Sequence, residues 1–273
     1  MRFHFYLVII LCCVSAALRA EDGSQLWLRF SKQEKPVGTV QIIKGKSTDV
    51  TLALAKQELE YYWKGGDVIL KLDHSRKDLK DGYQISQREN RVYVVAGRSA
   101  GILYAVYHLL RLQKTGAGIP PTGFIEIPSY DIRVLNHWDN LDGTIERGYA
   151  GHSLWNWEEL PNKLSPRYEQ YGRANASIGI NATVLNNVNA SSDLLKKEYL
   201  IKVKALADVF RKYGIKIYVS INFSAPKNLD GLANSDPLNK DVQHWWRSKV
   251  KEIYALIPDF GGFLVKANSE GQP

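Results

Sequence analysis

Cysteine is nearly absent. The 273 residues hold two, Cys12 and Cys13, side by side near the amino end. Both lie in or beside the apolar run of residues 5–14, which follows Arg2 and gives way to small residues ending at Ala17 or Ala20. A charged start, a short apolar core and small residues beyond it predict a secretory signal peptide over residues 1–20, cut at Ala17 or Ala20. That core falls short of the roughly 20 apolar residues that span a bilayer, so a membrane is not an expected partner. Loss of the leader removes both thiols. The mature chain is then expected to have no disulfide framework and no thiolate metal site, and to be exported to the periplasm or the exterior.

Clustered charge is also scarce. The formal net charge is +8, and losing Arg2 and Arg19 with the leader leaves about +6. The lysines are scattered, with only Lys196-Lys197 and a few similar pairs, so no basic stripe for nucleic acid is present. A modest positive balance is compatible with an acidic substrate. Complete phosphate-binding motifs are missing too. Gly45-Lys46-Ser47 resembles the end of a P-loop, but the earlier glycine position holds Val40. Gly97-Arg98-Ser99-Ala100-Gly101 lacks the three-glycine dinucleotide spacing and reads as a tight turn with a helix cap. There is no short internal repeat and no visible metal site, and no cofactor is expected.

Residues 21–128 predict a small α+β domain. Alternating apolar positions suggest strands at 26–30, 39–43 and 68–72, and a hairpin of 82–85 with 91–95 around Arg88-Glu89-Asn90. Helical spacing covers 51–63, with Asp49 as its cap, and 99–113. The glycine- and proline-rich stretch 115–123 then reads as a linker.

From 129 to 273 the pattern changes to apolar strands alternating with long amphipathic helices, which predicts parallel βα units. Strands are expected at 133–138, 181–185, 215–221 and 263–265, with helices at 166–178, 193–213 and 241–256. Each strand runs into polar residues: Trp138-Asp139-Asn140, Asn186-Asn187, Asn222, and Lys266 with Glu270. Strand carboxyl ends are where a (β/α)8 TIM barrel keeps its chemistry. Eight strands close such a barrel and four precede Pro273, so the chain is expected to be the front part of a longer polypeptide, truncated to about four βα units.

The residues now carry a resemblance. Asn136-His137-Trp138-Asp139-Asn140-Leu141-Asp142-Gly143, Ile145-Glu146-Arg147-Gly148-Tyr149-Ala150-Gly151, Ser220-Ile221-Asn222-Phe223-Ser224-Ala225-Pro226 and Val265-Lys266-Ala267-Asn268-Ser269-Glu270-Gly271-Gln272-Pro273 resemble the α-glucuronidases of glycoside hydrolase family 67. The first domain is similar to the one that precedes hexosaminidase barrels. The resemblance implies removal of glucuronic acid, or its 4-O-methyl ether, from the terminal xylose of glucuronoxylan-derived oligosaccharides, with inversion. It also implies Glu270 as general acid and Lys266 as partner of the sugar carboxylate, with Trp138 and Val188 lining the uronate pocket. Asn140 and Asn222 stand as hydroxyl-binding candidates.

The chemistry suits those residue types. A glycosidic oxygen leaves only when protonated, which a neutral carboxylic acid can do, and a uronate is recognised by a charge-assisted bond from lysine. Inversion also needs a second carboxylate across the sugar. The resemblance implies that it lies on later strands, beyond Pro273, which would leave this chain alone inactive. Other readings of the same residues stay open: Trp138 packing beneath a loop, Val188 as ordinary core, Asn136, Asn140 and Asn222 as turn formers, Glu146–Arg147 as a structural ion pair. A non-catalytic carbohydrate-binding protein is the rival function. For the full-length protein a homodimer is one assembly to test.

Overall fold

The computed structural model describes residues 23–46, 48–189 and 191–266, so the leader and Glu270 lie outside the described residues. Residues 26–30, expected as a strand, form local turns instead: Leu26 takes φ 50° and the Leu28 amide bonds back to the Gln25 carbonyl at 2.9 Å.

Beyond Ser31 the chain forms one compact unit built on two sheets. The first contains β1 (Val40–Ile43), β2 (Asp67–Leu72), β3 (Tyr83–Arg88), β4 (Arg91–Ala96) and β5 (Phe124–Glu126), in the order β1-β2-β4-β3-β5. The first three in that order are parallel, and β3 runs antiparallel to both its neighbours. The β3–β4 hairpin closes on Glu89-Asn90, with Glu89 at φ 55°, the left-handed geometry that two-residue hairpins require. β5 arises just after the glycine-rich stretch that predicted only a linker.

Two helices pack on this sheet, α1 (Val50–Tyr62) and α2 (Ser99–Thr115). Asp49 caps α1 as expected, accepting from the amides of Thr51 at 3.0 Å and Leu52 at 3.1 Å, and its other oxygen accepts from the Ser99 hydroxyl at the start of α2. One carboxylate thus ties two helix starts together. A Cβ on Gly97 would come within 2.4 Å of the Arg76 carbonyl oxygen, and one on Gly101 within 2.5 Å of that of Gly82. Close backbone packing accounts for those glycines, and neither takes a positive φ; Gly101 lies within the first turn of α2.

The second sheet is all parallel and runs in chain order: β6 (Val134–Asn136), β7 (Ala182–Val184), β8 (Lys216–Ser220) and β9 (Gly262–Leu264). Its connections carry α3 (Pro166–Ser177), α4 (Lys197–Arg211), the short α5 (Ala225–Asp230) and α6 (Lys240–Leu256). Ser165 caps α3 with Pro166 in its first turn, and Asn239 caps α6. The helix expected over 193–213 is broken. Ser192–Leu195 is a 3-10 turn, and extended Lys196 separates it from α4. The turn sinks Leu194 and Leu195 into the core.

Side chains of the first region grip the second. On α1, Glu58 is 4% exposed and takes a bidentate pair from Arg173 of α3 at 2.6 and 2.8 Å, with the Tyr107 hydroxyl donating to it at 3.2 Å. Near β3, Asp81 accepts from Arg98 at 2.8 Å, Arg133 at 3.2 Å and Asn181 at 3.0 Å. Asn181 also accepts from the Arg133 amide at 2.8 Å, so both ends of its side-chain amide are spent inside the fold.

Burial opposes ionisation of Asp81, yet its bonds from Arg98, Asn181 and Arg133 more than offset that and hold the carboxyl below its usual range. A carboxylate depressed in the folded state stabilises fully above its unfolded pKa, about 3.9, and loses that contribution as pH falls through the folded value. Asp81→Asn is therefore expected to lower the urea midpoint at neutral pH and to weaken the loss of stability below about pH 4. An unchanged midpoint with an unchanged acid limb would contradict this role for Asp81.

Candidate active site

The carboxyl ends of β6 to β9 lie side by side because the four strands are parallel and in chain order. Beyond β6, the direction of successive side chains sorts three residues. His137 faces the helix layer: its Nε2 lies 2.7 Å from the Tyr171 hydroxyl, and its ring packs 5.2 Å from Trp155. Tyr171 in turn lies 2.9 Å from the buried Thr183 hydroxyl of β7, and burial pushes its own pKa up to about 12, so it remains a neutral partner. Asp139 is buried, its carboxylate accepting from the Ser153 hydroxyl at 2.6 Å and the Leu154 amide at 3.2 Å. Between them Trp138 is 38% exposed and free to offer a ring face.

The loop after Asp139 is held from within. The Glu146 amide donates to the Trp138 carbonyl at 2.9 Å, and the Asn187 amide donates to the Asp139 carbonyl at 2.8 Å. Asn140 donates to the Thr144 hydroxyl and the Glu146 carbonyl, both at 2.9 Å, and accepts from Asn187 at 3.1 Å. Its amide thus has protein partners on both atoms. Glu146 and Arg147 approach only to 3.7 Å with the arginine side chain 80% exposed, a contact of little energetic weight.

Beyond β7, fully buried Asn186 imitates a strand. Its Oδ1 accepts from the Ser220 amide at 2.8 Å and its Nδ2 donates to the Ser220 carbonyl at 3.0 Å, extending the β7–β8 pairing with a side chain. Val188 is 7% exposed. Asn222, half-buried beyond β8, accepts from the Ser224 amide at 2.8 Å and opens the turn into α5. Beyond β9, the ammonium group of Lys266 donates to the Asn189 side-chain oxygen at 3.0 Å. That bond joins the ends of β7 and β9 across β8.

The sequence reading named Trp138, Asn140, Val188, Asn222 and Lys266, and all five sit on the strand ends or the loops just beyond them. Asn186 stands in the sequence only as one of the polar pair after a buried strand, and no local pattern gives Asn189 a place at the site. Among the described residues no three His, Cys, Asp or Glu side chains could hold a metal ion together, and no helix is long and apolar enough to cross a membrane. An ammonium group and an exposed indole, each just beyond a strand of the same parallel sheet, are residue types that suit an anionic ligand with an apolar face.

The chain is similar to known proteins. The chain is 41% identical over 195 residues to "Probable alpha-glucuronidase A" of Aspergillus clavatus, covering 71% of this chain and 23% of that protein. It is 31% identical over 297 residues to "Probable alpha-glucuronidase A" of Aspergillus niger, covering 97% of this chain and 35% of that protein. It therefore spans only a quarter to a third of these relatives. Among solved structures, a GH138 enzyme targeting pectin rhamnogalacturonan II shares the fold, with a TM-score of 0.56 at 17% identity over 84% of this chain and 30% of that one. Residues 113–273 match the middle domain of glycosyl hydrolase family 67, and the chain belongs to that family.

Proposed function

We propose that the chain supplies the substrate-gripping half of an α-glucuronidase, which hydrolyses the α-1,2 bond between glucuronic acid, or its 4-O-methyl ether, and the terminal xylose of xylo-oligosaccharides. The observation that carries this reading is Lys266, a cation at the end of β9 held next to the β7 loop and carried on the family's matching segment. Four parallel strands in chain order support a (β/α)8 barrel whose remaining strands belong to the length of the relatives that this chain does not span.

In this reading Lys266 binds the uronate carboxylate, Trp138 covers the sugar's apolar face and Val188 bounds the pocket. Asn222 lines the wall, and Asn140 shapes the loop through its internal bonds. Glu270 protonates the leaving oxygen. A second carboxylate, about 6.5–9.5 Å away across the sugar, activates water for inversion and comes from the later strands. Asp139 is poorly suited to that task because its carboxylate is buried and bonded to Ser153 and Leu154. Export through residues 1–20 would place the enzyme where plant polysaccharide is degraded.

The test is time-resolved proton NMR of an aldouronic oligosaccharide with the intact protein and with a protein ending at Pro273. The intact protein should release glucuronic acid first as the β-anomer, and the shorter one should release none. Initial release of the α-anomer, or binding with no release by the intact protein, would overturn the assignment, the latter in favour of a carbohydrate-binding role.

A further inference from the structure

We propose that Asn189 is a positioning residue for Lys266, holding its ammonium group at the mouth while leaving its charge to the carboxylate of a uronic acid. The inference rests on reading Lys266 as the carboxylate-binding cation. Lysine is a flexible side chain with three equivalent donors, and fixing it costs rotamer entropy each time an anion binds. The Asn189 oxygen takes one of those donors at 3.0 Å before any ligand arrives. Because an amide is neutral, it orients the cation without forming an ion pair that a substrate carboxylate would have to displace.

Asn189 is itself held. Its backbone amide donates to the Asn187 side-chain oxygen at 2.9 Å. Asn187 in turn donates to Asn140 at 3.1 Å and to the Glu146 carbonyl at 3.2 Å, and its amide reaches the Asp139 carbonyl at 2.8 Å. A continuous run of hydrogen bonds therefore joins the segment that carries Trp138 to the segment that carries Lys266. The indole and the ammonium group are set relative to each other by Asn187 and Asn189, and ring and carboxylate of one sugar would meet a prearranged pair.

The experiment compares Asn189→Ala, Asn189→Asp and Lys266→Ala in the intact protein. It reads KM and kcat on an aldouronic oligosaccharide, inhibition by a neutral xylo-oligosaccharide, and the melting temperature. Asn189→Ala should raise KM about fivefold with kcat within about twofold, the scale of one hydrogen bond that orders a cation. Asn189→Asp should raise KM more than about tenfold, because its carboxylate competes with the substrate for Lys266. Neutral inhibition and melting should stay at wild-type values. If Lys266→Ala raises KM while both Asn189 variants leave it unchanged, the inference falls and the reading of Lys266 stands. Equal weakening of neutral inhibition would reveal a merely structural role and also overturn it. No effect from Lys266→Ala would overturn the reading of the site itself.

Discussion

Glu270→Gln in the intact protein is expected to cut turnover of xylose-linked glucuronic acid about 10²–10⁴-fold with little change in KM, the range that general acid catalysis contributes. A xylose hydroxyl departs only if its oxygen is protonated as the bond lengthens, and glutamine keeps the shape of the side chain without a transferable proton. The loss must therefore depend on the leaving group. An aryl glucuronide, whose phenolate departs unaided, should lose far less activity than the oligosaccharide. Parallel kcat measurements on both substrates decide the point, and equal losses would remove Glu270 from the acid's role.

The second large effect concerns stability. Arg173→Ala leaves the Glu58 carboxyl 4% exposed and without its bidentate partner, and breaking such a buried pair costs about 3–5 kcal/mol. Burial works against the charge on Arg173, but the Glu58 carboxylate more than compensates and holds the guanidinium pKa above its usual value. The Tyr107 hydroxyl, bonded to the same carboxylate, would lose a well-placed acceptor if Glu58 moved. Replacing both members by methionine should recover most of the loss, because removing the pair together leaves no orphaned charge. Urea denaturation of the three variants tests this. A single-variant loss under about 1 kcal/mol would mean that the pair is solvated and that the two sheets are not joined through it.

Local chemistry made much of this fold legible. Asp49, Ser165 with Pro166, and the apolar face from Ile102 to Leu110 each act within a few residues, so capping and periodicity located α1, α2 and α3 to within a turn. The β6 to β9 strands were legible because each is a short apolar run that ends in polar residues. What escaped depends on distant partners. β5 is three residues long and exists because β3 offers an edge to it. Residues 26–30 have the right alternation, but Leu26 takes a left-handed φ and the Leu28 amide turns back to the Gln25 carbonyl. Lys196 breaks the long helix because Leu194 and Leu195 turn inward before it.

The site divides in the same way. Trp138 and Lys266 stood out as candidate side chains at strand ends, and the motifs of the resemblance carried both. Asn186 and Asn187 showed only as polar residues after a strand, since their meaning lies in Ser220 and Asn140, 34 and 47 residues away. Asn189 meets Lys266 across 77 residues, a distance no local pattern encodes. Amides at strand ends can bind sugar or hold loops. Here their partners show Asn140, Asn186 and Asn187 holding loops.

The most direct measurement is a crystal structure of the intact protein with glucuronic acid bound. The account predicts the carboxylate about 3 Å from the Lys266 ammonium group, with Asn189 still bonded to that lysine and the pyranose face against Trp138. A sugar seated away from the ends of β6 to β9, or a carboxylate held by other cations while Lys266 points elsewhere, would contradict it.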